Sequence, residues 1–250
     1  SIKLLNYFGI HTPMTSYHEF NRYDKADFLV SEMLSGKTVA CITDAGTPGI
    51  SDPGEVLARK AAEAGIPVTS VPGACAAVTA LVISGLPARR FRFEGFLPSE
   101  KKERQRVLAE ISDCTATLIF YEAPHRLRET LEALGTALGD RKAAVCKELT
   151  KKHEQVLRCT LKEARHYFGQ EEPKGEYVLV IQGRDISEME AEARASWEAL
   201  SVQAHVAYYE AQGADRKDAM KKAAKDRGVS KREIYAALLE GAEDSGPEQE

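Results

Sequence analysis

The sequence lacks the motifs of several common enzyme classes. It has no Gly-x-Gly-x-x-Gly motif and no complete phosphate-binding loop (Gly-x-x-x-x-Gly-Lys-Ser/Thr), which argues against a nucleotide-dependent dehydrogenase or kinase. It also has no Gly-x-Ser-x-Gly elbow of the kind that α/β-hydrolases use. No apolar run approaches the roughly 20 residues that a membrane-spanning helix needs. We therefore predict no membrane association.

Cysteine and histidine are scarce and scattered. The cysteines are odd in number, form no Cys-x-x-Cys pair and lie mostly in apolar runs, at Cys41, Cys75, Cys114, Cys146 and Cys159. This pattern is typical of buried thiols in a reducing compartment. The six histidines show no metal-ligand spacing. We therefore expect no metal site and a cytoplasmic location.

The overall charge is nearly balanced. With 34 basic and 38 acidic residues the net charge is −4, which excludes a globally basic nucleic-acid coat protein but leaves local basic patches open. At 250 residues and 27.5 kDa, the chain is long enough for two domains that each bury a core.

The first 90 residues alternate strand-like and helix-like segments. "KTVACIT" (37–43) and "PVTSVPG" (67–73) are strand-like, and the amphipathic "EVLARKAAEAG" (55–65) between them is typical of a helix that ends at Gly65. The arrangement predicts a βαβ unit, and so a first α/β domain over residues 1–90.

A second alternating block follows. Strand-like runs occur in "FRFEGFLPSE" (91–100), "ATLIFYEAPHR" (116–126) and "KGEYVLVIQG" (174–183), and two more flank a charged centre in "KAAVCKELTKKHEQVLRCT" (142–160). "KKERQRVLAEIS" and "LRETLEALGTALG" have helical periodicity. We predict a second α/β domain over residues 91–185.

The C-terminal part is predicted to be helical. One long helix, or a helix and a linker, precedes two short helices, of which the last begins with a capping box at Ser230 and Glu233. The Gly-containing turn between the short helices resembles a helix-turn-helix. We predict a helical module over residues 190–241 and a disordered acidic tail over 242–250.

Two glycine-rich loops stand out as candidate ligand sites. "CITDAGTPGISDPG" (41–54) ends an apolar run in turn formers, and its glycines permit close backbone approach to a polar ligand. "VPGACAA" (71–77) places small residues at a helix start. The first segment is longer than an ordinary βα connection requires, which favours a ligand site there, whereas close helix–sheet packing explains the second segment equally well.

Charged and aromatic residues cluster at three predicted strand ends. "FYEAPHR" (120–126), "KELTKKHE" (147–154) and "KGEY" (174–177) carry them. Open α/β sheets bind ligands at strand ends. A solvated hairpin tip remains the alternative for residues 147–154.

Taken in order, these segments resemble a known family. "TDAGTPGISDPG", "VPGACAAVTALVISGLP", "FYEAPHR", "KELTKKHE" and "KGEYVLVI" are similar to the ribosomal RNA small subunit methyltransferase I group of the tetrapyrrole methylase superfamily. The resemblance implies a class III methyltransferase with two α/β domains, a cofactor cleft between them and a homodimeric state. It further implies S-adenosylmethionine (SAM) as donor and, as substrate, a cytidine ribose 2′-hydroxyl in the decoding region of 16S rRNA.

The resemblance also implies which residues contact the donor. They are Asp44, Ala45, Gly46, Thr47, Pro48, Ile50, Cys75, Ala76, Tyr121, Glu122, Leu149, Gly175, Glu176 and Tyr177. Family members begin with a strand that carries a Thr-Pro-Ile-Gly-Asn loop, whereas this sequence begins just after that point and without Met. We therefore expect an upstream segment, with one wall of the cleft, to be absent from this sequence.

Candidates for proton transfer and RNA contact follow from chemistry. A carboxylate or neutral amine could accept the hydroxyl proton, and Glu122, Lys147 and Glu148 all lie at predicted strand ends. Phosphate binding requires cations, for which the candidates are Arg89, Arg90, Arg126, Lys221, Lys222, Lys225, Lys231 and Arg232. Two alternatives remain open: a methylase of a small tetrapyrrole, and a non-catalytic RNA-binding assembly protein.

Overall fold

The protein forms two compact units in a computed structural model that describes residues 2–243. The border between the units falls between Gly183 and Arg184. Both halves of the predicted α/β region lie in the first unit. The predicted division at residue 90 stays a prediction.

The first unit combines helices with one mixed sheet. Its helices are α1 (Ile2–Tyr7), α2 (Arg22–Leu34), α3 (Gly54–Glu63), α4 (Ala76–Ser84), α5 (Lys101–Ile111), α6 (Leu127–Leu138) and α7 (Leu161–Gln170), with a 3-10 turn at Glu19–Asn21. The strands are β1 (Phe91–Gly95), β2 (Thr117–Glu122), β3 (Lys142–Lys147), β4 (Gln155–Thr160) and β5 (Tyr177–Ile181). Their order is β1-β2-β5-β3-β4, with β1 and β2 parallel and the other pairs antiparallel. The predicted α/β class is confirmed.

Both faces of the sheet are covered by helices. Side chains alternate between the faces of a strand, so each face carries its own apolar cluster. One face packs against α5, α6 and α7, and we call it the helix-layer face. Its strand residues are Leu118, Phe120, Val145, Leu179 and Ile181. The α4 face packs against the small residues of α4 and comprises Ile119, Ala144, Cys146, Val178 and Val180. The central strand β5, "YVLVI", is buried throughout because it contributes to both clusters.

The two strands predicted near the N-terminus are wrong. Residues 37–43 and 67–73 form no strand within the described residues. Ile42, Val68 and Val71 are exposed by 49%, 54% and 84%. A β-prone sequence becomes a strand only when a neighbouring strand satisfies its backbone hydrogen bonds. The helix predicted between them is confirmed as α3.

The second unit is a helical bundle. It contains α8 (Ile186–Glu198), α9 (Val202–Ala211), α10 (Arg216–Arg227) and α11 (Lys231–Glu243). The long helical stretch is split by Ser201, whose hydroxyl caps α9 through the Ala204 N–H. The predicted capping box is confirmed, because Ser230 and Glu233 each accept a hydrogen bond from the other's backbone N–H. Of the predicted tail, residues 242–243 end α11 and residues 244–250 lie outside the described residues.

The described residues include neither a membrane-spanning helix nor a metal-binding cluster. None of the helices there is long and apolar enough to span a bilayer. No group of three or more His, Cys, Asp or Glu side chains in that part of the chain could hold a metal ion.

Candidate functional site

Asp52 organises the second half of the loop over residues 44–54. Its Oδ1 accepts hydrogen bonds from the backbone N–H groups of Gly49 (3.1 Å) and Gly54 (2.8 Å). Gly54 begins α3 and is buried, and a Cβ there would lie only 2.8 Å from Asp52 Oδ1. The loop is therefore a folded turn tied to the start of a helix.

The first half of the same loop meets the start of α4 through backbone contacts. The Thr47 N–H donates to the Ala74 carbonyl (2.9 Å). Gly46 has φ +76°, and a Cβ on it would lie 3.0 Å from the same carbonyl oxygen. A Cβ on Gly73 would lie 2.9 Å from Thr47 Oγ1. The two glycine-rich segments that the sequence singles out are thus in direct contact, and the positive φ and close backbone approach at Gly46 favour glycine there.

Tyr121, at the end of β2, joins the α4 start to the sheet. Its hydroxyl accepts a hydrogen bond from the Ala77 N–H (3.2 Å) and lies 3.9 Å from Cys75 Sγ. Its ring packs edge-on against Phe93 (4.9 Å) and Phe96 (5.9 Å between ring centroids). Burial, followed by the nearby Cys75, raises the pKa of Tyr121 to about 12, so the phenol stays protonated at neutral pH.

A third loop reaches the same face of the sheet. Leu149 packs against the α4-face cluster, as do Cys75 and Tyr121. The preceding residue, Glu148, pairs with Glu176, which lies just before β5. The Glu148 N–H donates to the Glu176 carbonyl, and Glu148 Oε1 accepts from the Glu176 N–H, both at 2.9 Å. Lys151 Nζ donates to the side chains of both glutamates, at 2.9 and 2.7 Å.

Backbone strain concentrates in these loops. Among the described residues, the non-glycine residues with positive φ are Ser51 (51°), Glu148 (51°) and Thr150 (65°). Such residues are uncommon and cluster at functional sites. All three belong to the loops that approach the α4 face, which supports a functional rather than a merely connecting role for them.

Three predicted site residues lie on the other side of the sheet. Register places Glu122, Tyr177 and Lys147 side by side across β2, β5 and β3, and Tyr177 packs in the helix-layer cluster. The Glu122 carboxylate is fully buried and accepts hydrogen bonds from the Ala123 N–H (2.8 Å) and the Thr130 hydroxyl (2.5 Å). The Tyr177 hydroxyl accepts from the Lys174 N–H (3.2 Å).

The structure thus brings together some of the predicted donor residues and separates others. The loop at Gly46 and Thr47, the α4 start at Cys75 and Ala76, Tyr121 and Leu149 all converge on the α4 face. Phe93, Phe96 and Lys151 belong to the same region but were missed. Alternation from Phe91 could have placed Phe93 on one face of β1. It does not predict the position of Phe96, which follows β1 after the register irregularity between Phe93 and Gly95.

The predicted RNA contacts occupy several surfaces. Arg89 and Arg90 are exposed before β1, whereas Arg126 is half-buried, bonded to the Leu97 carbonyl and 3.8 Å from Glu122 Oε1. The remaining candidates are exposed on α10 and α11 in the second unit: Lys221, Lys222, Lys225, Lys231 and Arg232.

A family model and curated relatives point to the same family. The model of the tetrapyrrole (corrin/porphyrin) methylases matches residues 3–165. Curated relatives called ribosomal RNA small subunit methyltransferase I include one from Halalkalibacterium halodurans, which is 48% identical over 93% of this chain and 80% of its own length. The Bacillus subtilis protein is 43% identical over 94% and 80%, and the Escherichia coli O157:H7 protein is 38% identical over 95% and 81%.

Solved structures agree on the fold. A diphthine synthase matches with a TM-score of 0.56 and 17% identity over 77% of each chain. The methyltransferase CobJ matches with a TM-score of 0.53 and 16% identity, over 73% of this chain and 83% of its own. At such identities the match concerns the fold alone. From the family model and the curated relatives together, the chain belongs to the tetrapyrrole methylase family, within its ribosomal RNA small subunit methyltransferase I group.

Proposed function

We propose that this methyltransferase transfers a methyl group from SAM to the ribose 2′-oxygen of a cytidine in the decoding region of small-subunit rRNA. The observation that carries the proposal is the convergence of the loop at Gly46, the α4 start, Tyr121 and Leu149 on one sheet face. The names of the relatives supply the substrate class. Because ribosomal subunits are cytoplasmic, the proposal includes a cytoplasmic location.

The α4 face has the chemistry that SAM requires. The Cys75 side chain makes no capping hydrogen bond at the α4 start. Apart from the Ala77 N–H, which donates to the Tyr121 hydroxyl, backbone N–H groups of the first turn can therefore receive a carboxylate such as that of the donor. Apolar contact is available from half-exposed Phe96 and half-buried Leu149. We propose Asp44, Ala45, Thr47, Pro48 and Ile50 of the preceding loop as further contacts, with Ala76, Gly175 and Glu176.

The chain would act mainly by alignment. Bound SAM supplies an activated methyl on a sulfonium. The protein must hold the 2′-oxygen in line with that methyl and exclude water, and orientation of this kind contributes roughly 7–11 kcal/mol. The hydroxyl proton leaves at or after the transition state. Of the three predicted proton acceptors, Glu148 directly precedes Leu149 in the chain. Glu122 and Lys147 instead lie beside Tyr177 in the sheet.

We propose the second unit as the RNA-holding part. Lys217, Lys221 and Lys225 are exposed and recur every fourth residue along α10, which places them along one side of that helix. Exposed Lys231 and Arg232 begin α11. Such a row of cations fits the spacing of a phosphate backbone, and its contribution falls as salt rises.

The reaction is tested by methyl transfer from labelled SAM. Full-length protein is incubated with undermethylated small subunits, and the RNA is digested to nucleosides. Label in 2′-O-methylcytidine is the expected result. Label absent from RNA despite donor binding would overturn the proposal, and transfer to a porphyrin instead would establish a small-tetrapyrrole methylase. Absence of donor binding by the full-length protein would favour the non-catalytic RNA-binding assembly protein.

The RNA surface is tested by charge removal. Replacing Lys217, Lys221 and Lys225 by Gln should raise the Kd for small subunits and leave the donor affinity unchanged. The slope of log Kd against log salt concentration should fall by the equivalent of about three phosphate contacts. Replacing exposed Lys101 and Lys102 of α5 is the matched control. Equal salt dependence in wild type and the α10 variant would contradict this role.

We also propose a homodimer. α4 exposes Val78 (48%) and Val82 (72%) on its outer side, opposite the residues that pack on the sheet. An apolar helix face of this kind is typical of an interface. Light scattering of the full-length protein tests the state, and a monomer at the concentrations used for activity would contradict it.

A further inference from the structure

We infer that Lys151 is a positioning residue for the donor site: its ammonium, held between the carboxylates of Glu148 and Glu176, fixes the strained turn that presents Leu149 to the α4 face. The inference rests on the proposed function, because it assumes that Leu149 contacts the donor. Lys151 is not among the candidate site residues predicted from the sequence.

The turn that Lys151 closes is short and strained. It spans residues 148–151, with the Lys151 N–H donating to the Glu148 carbonyl (3.0 Å). Glu148 and Thr150 both have positive φ, a conformation that costs energy for residues with a side chain. Contacts outside the turn must therefore hold it in place.

Three carboxylates hold the turn. Glu154 Oε2 accepts from the Thr150 N–H (2.7 Å), and Glu148 and Glu176 share Lys151. Glu148 Oε1 accepts from both the Glu176 N–H and Lys151 Nζ, and Glu176 Oε2 accepts from the same ammonium. Gly175, with φ +87°, makes the space, because a Cβ there would lie 2.6 to 2.7 Å from Glu148 side-chain atoms. The hydrogen bond from Lys151 lowers the pKa of Glu148, so the carboxylate is charged at neutral pH.

Loss of the ammonium would act on Leu149 through electrostatics. Two carboxylates that share one cation repel each other once the cation is gone. The turn then loses its bridge to β5, and the half-buried Leu149 loses its fixed position beside Cys75 and Tyr121. The effect should appear in donor affinity rather than in the chemical step, because Lys151 itself reaches no reacting atom in this arrangement.

The test compares three variants of the full-length protein. Lys151→Met keeps the length of the side chain and removes the charge, Lys151→Arg restores the charge, and Lys152→Met is the control at an exposed neighbouring lysine. SAM Kd is measured by calorimetry, and kcat is measured at saturating donor. We expect Lys151→Met to raise the Kd roughly 3- to 10-fold with kcat unchanged, Lys151→Arg to recover most of the affinity and Lys152→Met to match wild type.

Salt dependence supplies a second readout that simple loss of structure would not give. Wild-type affinity should weaken as salt rises from about 0.05 to about 0.5 M, because the ion pairs are partly exposed, whereas Lys151→Met should respond less. Equal Kd values for Lys151→Met and wild type, or equal losses in Lys151→Met and Lys152→Met, would overturn the inference. Failure of wild type itself to bind SAM would instead overturn the proposed function. If Lys151→Met melts at a lower temperature, recovery of affinity by Lys151→Arg still supports the inference, and its absence overturns it.

Discussion

We expect the hydroxyl of Thr130 to contribute far more to the free energy of unfolding than the exposed hydroxyl of Thr136, which lies on the same helix, α6. Thr130 donates to the fully buried Glu122 carboxylate, which also accepts from the Ala123 N–H. Thr130→Val keeps the shape and removes one donor from a buried acid. Hydrogen bonds to charged groups contribute roughly 1.5–3 kcal/mol, and for a chain of this size that corresponds to a fall in Tm of roughly 3–12 °C.

Thermal and urea unfolding of the full-length protein measure this effect. The control is Thr136→Val, also on α6, which removes an exposed hydroxyl bonded to the Glu132 carbonyl and should change stability by less than about 0.5 kcal/mol. Glu122 lies beside Tyr177, on the sheet face opposite the proposed donor site. Methyl transfer by Thr130→Val, measured well below its Tm, should therefore match wild type. Equal stability of the two variants, or a lost rate at unchanged stability, would refute the reasoning.

Two further predictions concern other parts of the chain. Gly175→Ala should displace the Glu148 side chain and weaken SAM binding, because the new Cβ would lie 2.6 Å from Glu148 Cγ at a positive φ; unchanged donor Kd would contradict this. In the second unit, burial lowers the pKa of His205, although Asp226 lies 3.3 Å away and opposes the shift. The unfolded chain therefore binds more protons, so stability is full above about pH 6.5 and falls below it. Urea unfolding followed by fluorescence of Trp197, the one tryptophan, which stacks on His205, checks this, and an equal midpoint at about pH 7.5 and about pH 5.5 would refute it.

Local sequence predicted the second-block strands but not whether the first-block segments pair. "YVLVI" in β5 is apolar throughout because helices cover both of its faces, and such a run, bounded by turns, is readable without a structure. "KTVACIT" is also rich in β-prone residues but forms no strand within the described chain. Pairing depends on which strand lies alongside, and no local pattern carries that information.

The sequence contains a helix-start signal for α7, although no helix was predicted there. Thr160 and Glu163 form a capping box, in which the Glu163 N–H donates to Thr160 Oγ1 (3.3 Å) and the Thr160 N–H donates to Glu163 Oε2 (2.8 Å). The Thr-x-x-Glu spacing before an apolar pattern predicts a helix start. α2 was missed for a different reason, since its sequence has weak amphipathic character and buries only Ala26 and Leu29.

The alternation of strand side chains also limits which acid can serve the donor site. Tyr121 and Glu122 are adjacent in β2, so their side chains point to opposite faces, and the roles predicted for Glu122 stay predictions that the position of Tyr121 does not support. Lys147 shares the register row of Glu122. Of the three candidate proton acceptors we favour Glu148, which directly precedes Leu149 and whose pKa is lowered by the hydrogen bond from Lys151. A carboxylate with a lowered pKa is a weak base, so we expect alignment of the 2′-oxygen with the methyl to supply most of the acceleration, and the proton to leave only after the methyl has been transferred.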